Sequence, residues 1–380
     1  TGIFETSQFT HSISNHTQTD GNDLDTYLDR VFEVMNTPTE TRGNIPKFLN
    51  DFPYVNGGLF KDFHKAPQFT RRSRQVILEC GELSWSEINP DIFGSMIQAV
   101  ITPEHRGGMG MHYTSVPNIM KVIEPLFLNE LYEVFDDSKG NIKKLNELLK
   151  RLWNIKIFDP ACGSGNFLII SYKELRKLEM LIFKEIDRIN EVYYSHQFTG
   201  ITLNNFFGIE LDDFAHEVAI LSLWLAEHQM NVEFTKQFGR SQPSLPLKQT
   251  GNIVHGNACR LDWELVCPKN ENDEIYILGN PPYIGARNMN DSQKEDIIKT
   301  LHKVDGQNNL DYISCWFVKG AEYIKNTNNS FAFVTTNSIC QGSQVPVLWS
   351  YLFSLNIEVS FAYKSFKWSN SAKENAGVVV

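Results

Sequence analysis

Residues 155–167, with the sequence IKIFDPACGSGNF, decide the fold predicted for this chain. A short apolar run ends at Asp159, and Gly163 and Gly165 follow before a helix-like stretch over Asn166–Tyr194. Glycines let the backbone turn tightly and approach a ligand without a Cβ in the way. The order therefore predicts a buried strand, a ligand-binding turn and a long helix.

The alternation of short apolar runs and longer helical patterns continues downstream. The predicted strands are Ile155–Phe158, Phe206–Ile209, Ile253–Val254, Tyr276–Leu278 and Phe331–Thr335, and the helices between them include Phe214–Glu227 and Tyr312–Ile324. This order predicts an α/β fold with a mostly parallel sheet and helices on both faces. Residues 228–252, which contain two glycines and two prolines, are predicted to form a loop insertion.

The region before the sheet has a different pattern. Residues 1–50 are polar apart from an amphipathic stretch at Asp23–Met35, and apolar residues recur at helical spacing over Gly57–Ala99. Pro117–Phe127 and Ile142–Leu152 are two further helix predictions. We therefore expect a helical spacer over residues 1–105 and an α/β domain over residues 106–380.

The bulk composition excludes several classes of protein. The 380 residues include no run of about 18 apolar residues, so no membrane span is predicted. There is no basic and apolar leader at the start, which argues against secretion. Six cysteines without a CxxC pair argue against a zinc ribbon or a disulfide framework, so no metal site is expected and a reducing cytoplasm fits.

Acidic and amide side chains follow the first three predicted strands. The carboxylate of Asp159 suits a ligand with an ammonium group, such as the amino-acid end of S-adenosylmethionine. Glu210 closes the second strand, where it can accept both ribose hydroxyls of a nucleoside. Asn257 and Ala258 follow the third strand, where an amide can contact an adenine. Ligands bind at this edge of a parallel sheet.

The sharpest motif is Gly279-Asn280-Pro281-Pro282-Tyr283, directly after the fourth strand. Two prolines stiffen the turn and remove two N–H donors. The side-chain oxygen of Asn280 and the carbonyl of Pro281 can then both accept from one planar amine. Tyr283 offers a ring on which a base taken out of the helix can stack.

With these motifs in this order, the chain resembles the γ-class amino-methyltransferases. More narrowly, it is similar to the methyltransferase part of single-chain type IIG/IIL restriction–modification enzymes. The motifs that carry the resemblance are Asn56-Gly57-Gly58-Leu59-Phe60, Gly110-Met111-His112-Tyr113-Thr114, residues 158–167, the Asn-Pro-Pro-Tyr turn and Phe366-Lys367-Trp368. The resemblance implies a Rossmann-like sheet that binds S-adenosylmethionine, and methylation of the N6 amine of a flipped adenine in double-stranded DNA.

The resemblance also implies roles for individual residues. Tyr113 and Thr114 would line the methionine end of the cofactor, and Phe366 would stack on the flipped adenine opposite Tyr283. Many relatives carry Asp where this chain has Asn257. The implied cofactor residues are Tyr113, Thr114, Asp159, Ala161, Gly163, Gly165, Asn166, Glu210, Asn257 and Ala258, and the implied catalytic residues are Asn280, Pro281, Pro282 and Tyr283.

Two parts of the family pattern are not found. No Asp…Glu-x-Lys nuclease constellation is evident, and the chain stops at Gly377–Val380 where a target-recognition domain should follow. The net charge is −10, although residues 284–380 are near neutral. A duplex-binding protein usually has a basic footprint. We therefore expect the nuclease and target-recognition parts to be missing partners of a bacterial, cytoplasmic enzyme.

Three alternatives to adenine methylation stay open. Cytosine-N4 methylation uses the same amine chemistry, and RNA or protein-glutamine methyltransferases can carry the same Asn-Pro-Pro-Tyr turn. A DNA-binding remnant that keeps the fold but not the cofactor is the non-enzymatic alternative. Cytosine-C5 methylation is rejected, because it needs a Cys nucleophile after Pro and the chain has no Pro-Cys dipeptide.

Overall fold

The computed structural model describes residues 7–55, 60, 65–83, 92, 114–191, 198–239, 252–270 and 273–364, with the backbone of 366–367 and 377–379. The described residues up to 83 belong to one compact unit, and those from 92 onward belong to a second. The predicted boundary near residue 105 lies outside the described residues and stays a prediction.

The first unit is helical. Its helices are α1 (Gln8–His16), α2 (Leu24–Asn36), α3 (Lys47–Asn50) and α4 (Arg71–Gly81). The amphipathic stretch predicted near residues 23–35 is α2, and its buried face supplies Leu24 and Val31 to the core of the unit. Arg74 is buried on α4 and donates from Nε to the Thr17 hydroxyl at 2.9 Å, just after the end of α1.

The second unit begins with helices and continues as an α/β sheet. Its elements in chain order are α5 (Val116–Ile123), a π-helical turn (Glu124–Leu128), α6 (Asn129–Ser138), α7 (Ile142–Asn154), β1 (Lys156–Asp159), α8 (Asn166–Asn190), β2 (Phe206–Glu210), α9 (Asp213–Phe238), β3 (Asn252–His255), α10 (Trp263–Val266), β4 (Ile275–Gly279), α11 (Asp291–Thr300), α12 (Ser314–Ile324), β5 (Ser330–Phe333), β6 (Thr335–Thr336), α13 (Ser350–Ser354), β7 (Phe366–Lys367) and β8 (Gly377–Val379).

The central sheet has five parallel strands in the order β3-β2-β1-β4-β5. A small antiparallel sheet of order β6-β8-β7 accompanies it. The predicted α/β fold with a mostly parallel sheet is confirmed. The chain moves outward from β1 to β2 and β3, then returns to place β4 on the other side of β1. Such a reversal opens a crevice at the carboxyl ends of the two strands, here between β1 and β4.

Helices cover both faces of this sheet. On one face Phe158 and Ile277 pack into a buried cluster with Trp263 of α10 and residues of α11 and α12. On the other face the ring of Tyr172 on α8 lies 5.4 Å from that of Phe206 on β2. Each fully buried apolar side chain of this size contributes roughly 1.5–3 kcal/mol. The sheet is therefore a rigid support for the turns at its edge.

The prediction of a loop over residues 228–252 is wrong for residues 228–238, which are helical. Helix α9 continues without a break to Phe238. Its buried side chains Met230, Phe234 and Phe238 repeat every four residues, which extends the apolar face of the helix. The first breaker is Gly239, which caps the helix with φ of +67°. Residues 240–251 lie outside the described residues.

A membrane-crossing helix would need a long apolar stretch. No helix in the part of the chain that the structure describes has one.

Candidate active site

The turn after β1 holds a buried carboxylate. Asp159 is 1% exposed, and its Oδ1 accepts a hydrogen bond of 3.0 Å from the N–H of Ala161. Its Oδ2 is buried and has no hydrogen-bond partner within the described residues. Burial raises the pKa of Asp159 to about 8, and the nearby Glu210 carboxylate adds to the rise. This oxygen is an acceptor that a cationic ligand would satisfy.

The two glycines of this turn have positive φ angles. Gly163 has φ of +55°, and a Cβ on it would meet no atom of the described residues within 4 Å. Gly165 has φ of +84° and precedes Asn166, the buried first residue of α8. A Cβ on Gly165 would lie 3.4 Å from the Cβ of Ala219, so the turn passes close to α9.

Glu210 lies at the end of β2 and ties the two strand ends together. Its Oε2 accepts from the N–H of Gly163 at 2.7 Å, and its Oε1 accepts from the N–H of Asp212 at 2.9 Å. Burial raises the pKa of Glu210, against the lowering effect of these backbone hydrogen bonds. Glu210, the residue predicted to bind the ribose, therefore also holds the glycine turn in place.

The turn after β4 carries a second buried acceptor without a partner. Asn280 donates from Nδ2 to the Thr114 hydroxyl at 3.3 Å. Its Oδ1 is buried and accepts no hydrogen bond from any described residue. Pro281 is buried and Pro282 is partly buried. The predicted catalytic amide thus has an oxygen available to a donor from a ligand.

Gly279 joins the two turns. It ends β4 with φ of +151°, and a Cβ on it would lie 2.5 Å from Oδ1 of Asp159. The residue before Asn280 is therefore in direct contact with the carboxylate of the other turn, and only glycine leaves room for this approach. The turns that carry the two unpartnered oxygens are therefore in contact at Gly279, and a shared ligand site between them stays a prediction.

Tyr283 and Ile284 complete the second turn. Burial raises the pKa of Tyr283 to about 12, and the Asp311 carboxylate adds to the rise. The tyrosine is therefore neutral across the physiological range. Ile284 donates its N–H to Oδ1 of Asp311 at 2.9 Å and accepts at its carbonyl from the N–H of Tyr312 at 3.0 Å.

Asn257 has partners within the protein. Its Oδ1 accepts from the N–H of Cys259 at 2.8 Å, and its Nδ2 donates to Oδ2 of buried Asp296 at 2.9 Å. Ala258 is buried, and its carbonyl accepts from the Trp263 indole at 2.9 Å. The amide predicted to contact the cofactor adenine is thus turned toward Asp296, and its contact with adenine stays a prediction.

Two predicted residues are not placed by the structure. Tyr113 lies outside the described residues, together with residues 56–59 and 110–112 of the motifs quoted above. Phe366 belongs to β7, but its side chain lies outside the description. Their roles stay predictions.

The sequence did not single out Asp296, Asp311 or Trp316, although all three are bonded to the turns of the site. None of the three stands in a glycine or proline motif like those of the two turns. Asp311 ends the run Asn308-Asn309-Leu310-Asp311 directly before the predicted helix at Tyr312, and this position gives no sign of its partner Ile284.

Comparison with protein families identifies two matching models. The one described as MmeI, DNA-methyltransferase domain, matches residues 135–380. The one described as MmeI, helicase spacer domain, matches residues 1–60.

Curated relatives and solved structures agree with these families. DNA methyltransferase A of Bacillus subtilis (strain 168) is 50% identical over 100% of this chain and 43% of its own length. A putative type II restriction enzyme and methyltransferase of Methanocaldococcus jannaschii is 31% identical over 75% of this chain and 28% of its own length. The structure of the type IIL restriction–modification enzyme MmeI in complex with DNA superimposes with a TM-score of 0.92 at 40% identity, over 100% of this chain and 51% of that one. The chain thus spans about half, or less, of the length of these relatives.

Proposed function

The chain belongs to the family of MmeI DNA-methyltransferase domains, and we propose that it transfers the methyl group of S-adenosylmethionine to the N6 amine of adenine in DNA. We propose further that it acts within a restriction–modification system, as the names of its relatives suggest. One observation carries the proposal: two buried acceptor oxygens that no described residue satisfies, on Asp159 and Asn280, lie on turns that touch through Gly279.

The cofactor turn fits S-adenosylmethionine on its donor and acceptor chemistry. Asp159 Oδ2 is a buried acceptor, and the ammonium of the amino-acid end would satisfy it. No described residue would meet a Cβ on Gly163 within 4 Å, so none of them would keep a ligand from approaching the backbone there. Glu210 is held at the neighbouring strand end, where it would accept from ribose hydroxyls. When bound, the cofactor supplies an electrophilic methyl group on a positively charged sulfur.

Asn280 would act on the target amine. The amine of adenine is conjugated with its ring and is a poor nucleophile. An N–H of that amine donated to Asn280 Oδ1 would help hold its lone pair toward the methyl group. In the structure Asn280 donates from Nδ2 to the Thr114 hydroxyl, which leaves Oδ1 as the amide atom that would accept from the base. Positioning of this kind suffices, because the sulfonium is a reactive methyl donor.

Tyr283 would hold the base itself. A base that reacts in this crevice must leave the double helix, and an aromatic face offsets part of the lost stacking. The side chain is partly buried and neutral, so its ring, not a charge, is what it offers. Double-stranded DNA is the proposed partner, in keeping with the DNA complex of the similar MmeI structure.

The test is transfer of tritiated methyl from S-adenosylmethionine to DNA, RNA and protein in parallel, followed by digestion of the DNA to nucleosides. We expect label in DNA alone, as N6-methyladenine. N4-methylcytosine would overturn the base assignment, and label in RNA or protein would overturn the substrate class. A thermal-shift titration with S-adenosylmethionine should stabilise the protein by mass action, and no shift would favour a remnant without a cofactor site.

A further inference from the structure

A short segment away from the sequence motifs is bonded to both turns of the site. Residues 311–316, called here the bridging segment, run from the loop before α12 into its first turn. Asp311 and Tyr312 together bind both backbone groups of Ile284. Trp316 donates from its indole nitrogen to the carbonyl of Pro160 at 3.1 Å. One segment therefore holds the target-base turn at one end and the cofactor turn at the other.

The target-base turn needs such an anchor because of its own composition. Pro281 and Pro282 have no N–H groups, so the turn is short of donors with which to fix itself. Ile284 is the residue that follows Tyr283, and both its N–H and its carbonyl are engaged by the bridging segment. A backbone held on both sides one residue downstream restricts the orientation of the tyrosine before it.

Asp311 is well placed to be a stable anchor. It is 5% exposed, so water does not compete for its oxygen. The same Oδ1 also accepts from the N–H of Ile313 at 3.2 Å, and the Asp311 N–H donates to the Gln344 side chain at 3.2 Å. The carboxylate is thus held by the residue that caps α12 and the Asp311 backbone by a second loop, and Asp311 transmits their position to Ile284.

We propose that Asp311 is a positioning residue for methyl transfer, which sets the target-base turn relative to the cofactor turn through its hydrogen bond to Ile284. The expected effect on methyl transfer rests on the proposed function, whereas the hydrogen bond between Asp311 and Ile284 is independent of it. In this proposal Asp311 acts through the backbone that carries Tyr283 and Asn280, by way of Ile284, and not by contact with the cofactor or the base. Misplacement of a reacting group by about 1 Å can cost about 100-fold in rate.

The kinetic test compares Asp311→Ala with Asp311→Asn in the protein as it occurs naturally. Alanine removes the acceptor, and we expect kcat to fall by about 10- to 100-fold while the Kd for S-adenosylmethionine changes less than about twofold. Asparagine keeps a carbonyl oxygen for the Ile284 N–H and should restore kcat to within about threefold of the wild type. The matched control is Tyr323→Phe, which loses a buried hydrogen bond from the same helix, to the Cys267 carbonyl at 2.6 Å, and should keep kcat.

Hydrogen exchange tests the positioning without reference to activity. In Asp311→Ala, peptides over residues 279–289 should exchange faster, whereas peptides over residues 156–159 of β1 should not. Unchanged exchange over 279–289, or an alanine variant with wild-type kcat, overturns the proposal. An asparagine variant as slow as alanine overturns it as well. A wild type that transfers no methyl group to DNA, with the expected exchange pattern, would instead count against the proposed function alone.

Discussion

The two turns of the site follow neighbouring strands, yet they are built from opposite backbone chemistry. The turn after β1 is rich in glycine, and its N–H groups bind carboxylates: Ala161 donates to Asp159, and Gly163 donates to Glu210. The turn after β4 is rich in proline and lacks such donors at two positions. Each turn nevertheless has, at its start, one buried oxygen that no described residue satisfies: Asp159 Oδ2 in one turn and Asn280 Oδ1 in the other.

The difference lies in the charge of that oxygen. Asp159 carries a carboxylate, which would gain most from a cation, whereas Asn280 carries a neutral amide, which suits an uncharged amine. A carboxylate in place of Asn280 would add a further buried acidic group to a site that already holds Asp159 and Glu210. The turn after β1 thus suits a charged ligand, and the turn after β4 suits a neutral one. The two turns are in contact at Gly279.

The largest effect is expected from Asn280→Ala. Without the amide oxygen the target amine loses its acceptor, and methyl transfer should fall by about 100- to 1,000-fold, as for other single groups that stabilise a reacting centre. Cofactor affinity should stay close to that of the wild type, because Asn280 belongs to the other turn. Single-turnover transfer of tritiated methyl, with calorimetry of cofactor binding, measures both. Normal turnover would contradict the role of the amide.

Asp159→Asn should weaken cofactor binding rather than methyl transfer. Loss of the carboxylate leaves the ammonium of S-adenosylmethionine without its partner, at a cost of about 2–5 kcal/mol in binding. The Kd measured by calorimetry should rise accordingly, while transfer at saturating cofactor should suffer less than in Asn280→Ala. An unchanged Kd would show that the turn after β1 does not bind the charged end.

The pH dependence of cofactor binding follows from the same carboxylate. Burial raises the pKa of Asp159 to about 8, so below this pH a cation must displace a proton to bind. Affinity should therefore increase by up to about tenfold per pH unit between pH 6 and pH 8 and level off above. Calorimetry across this range gives the profile, and Asp159→Asn is the control that should be flat. A flat wild-type profile would mean that Asp159 is already ionised.

Stability should depend on pH in the opposite direction. The pKa of Asp159 in the folded, ligand-free protein exceeds its ordinary value of 3.8. Between pH 3.8 and about pH 8 the folded chain therefore binds more protons at Asp159 than the unfolded chain does. The contribution of Asp159 to the free energy of unfolding thus decreases as the pH rises from about 4 to about 8. Without cofactor, Asp159→Asn should unfold at a higher temperature than the wild type at pH 8, by about 2–4 °C per kcal/mol. A lower midpoint would contradict the burial cost.

The sequence predicted the strands and the two turns because their signals are local. A carboxylate after an apolar run, glycines before a helix, and two prolines after a strand each restrict the backbone within a few residues. The mostly parallel sheet also followed from the alternation of elements, whereas its strand order, with β4 beside β1, is known only from the structure. These features place Asp159, Glu210 and Asn280 at one edge of the sheet before any coordinates are known.

What the sequence missed depends on contacts between distant residues. Asp311 is 27 residues from Ile284, and Trp316 is 156 residues from Pro160, so no local pattern reports either bond. The bond from the Asn257 amide to Asp296, which lies 39 residues away on α11, has no local signal either. The continued helix α9 shows the same limit, because its apolar face was hidden by polar residues between Met230 and Phe238.

The smallest effect is expected from substitutions of Tyr283, which should change binding of DNA but not binding of the cofactor. If its ring is what holds the base, Tyr283→Ala should weaken the DNA complex by about 1–3 kcal/mol, whereas Tyr283→Phe should bind and react almost as the wild type does. The hydroxyl is not needed as an acid or base, since burial raises its pKa to about 12. Cofactor affinity should be unchanged in both variants, because the ring belongs to the proline turn. A phenylalanine variant as poor as alanine would show that the hydroxyl, rather than the aromatic face, does the work, and the neutral half of the site would then need a different explanation.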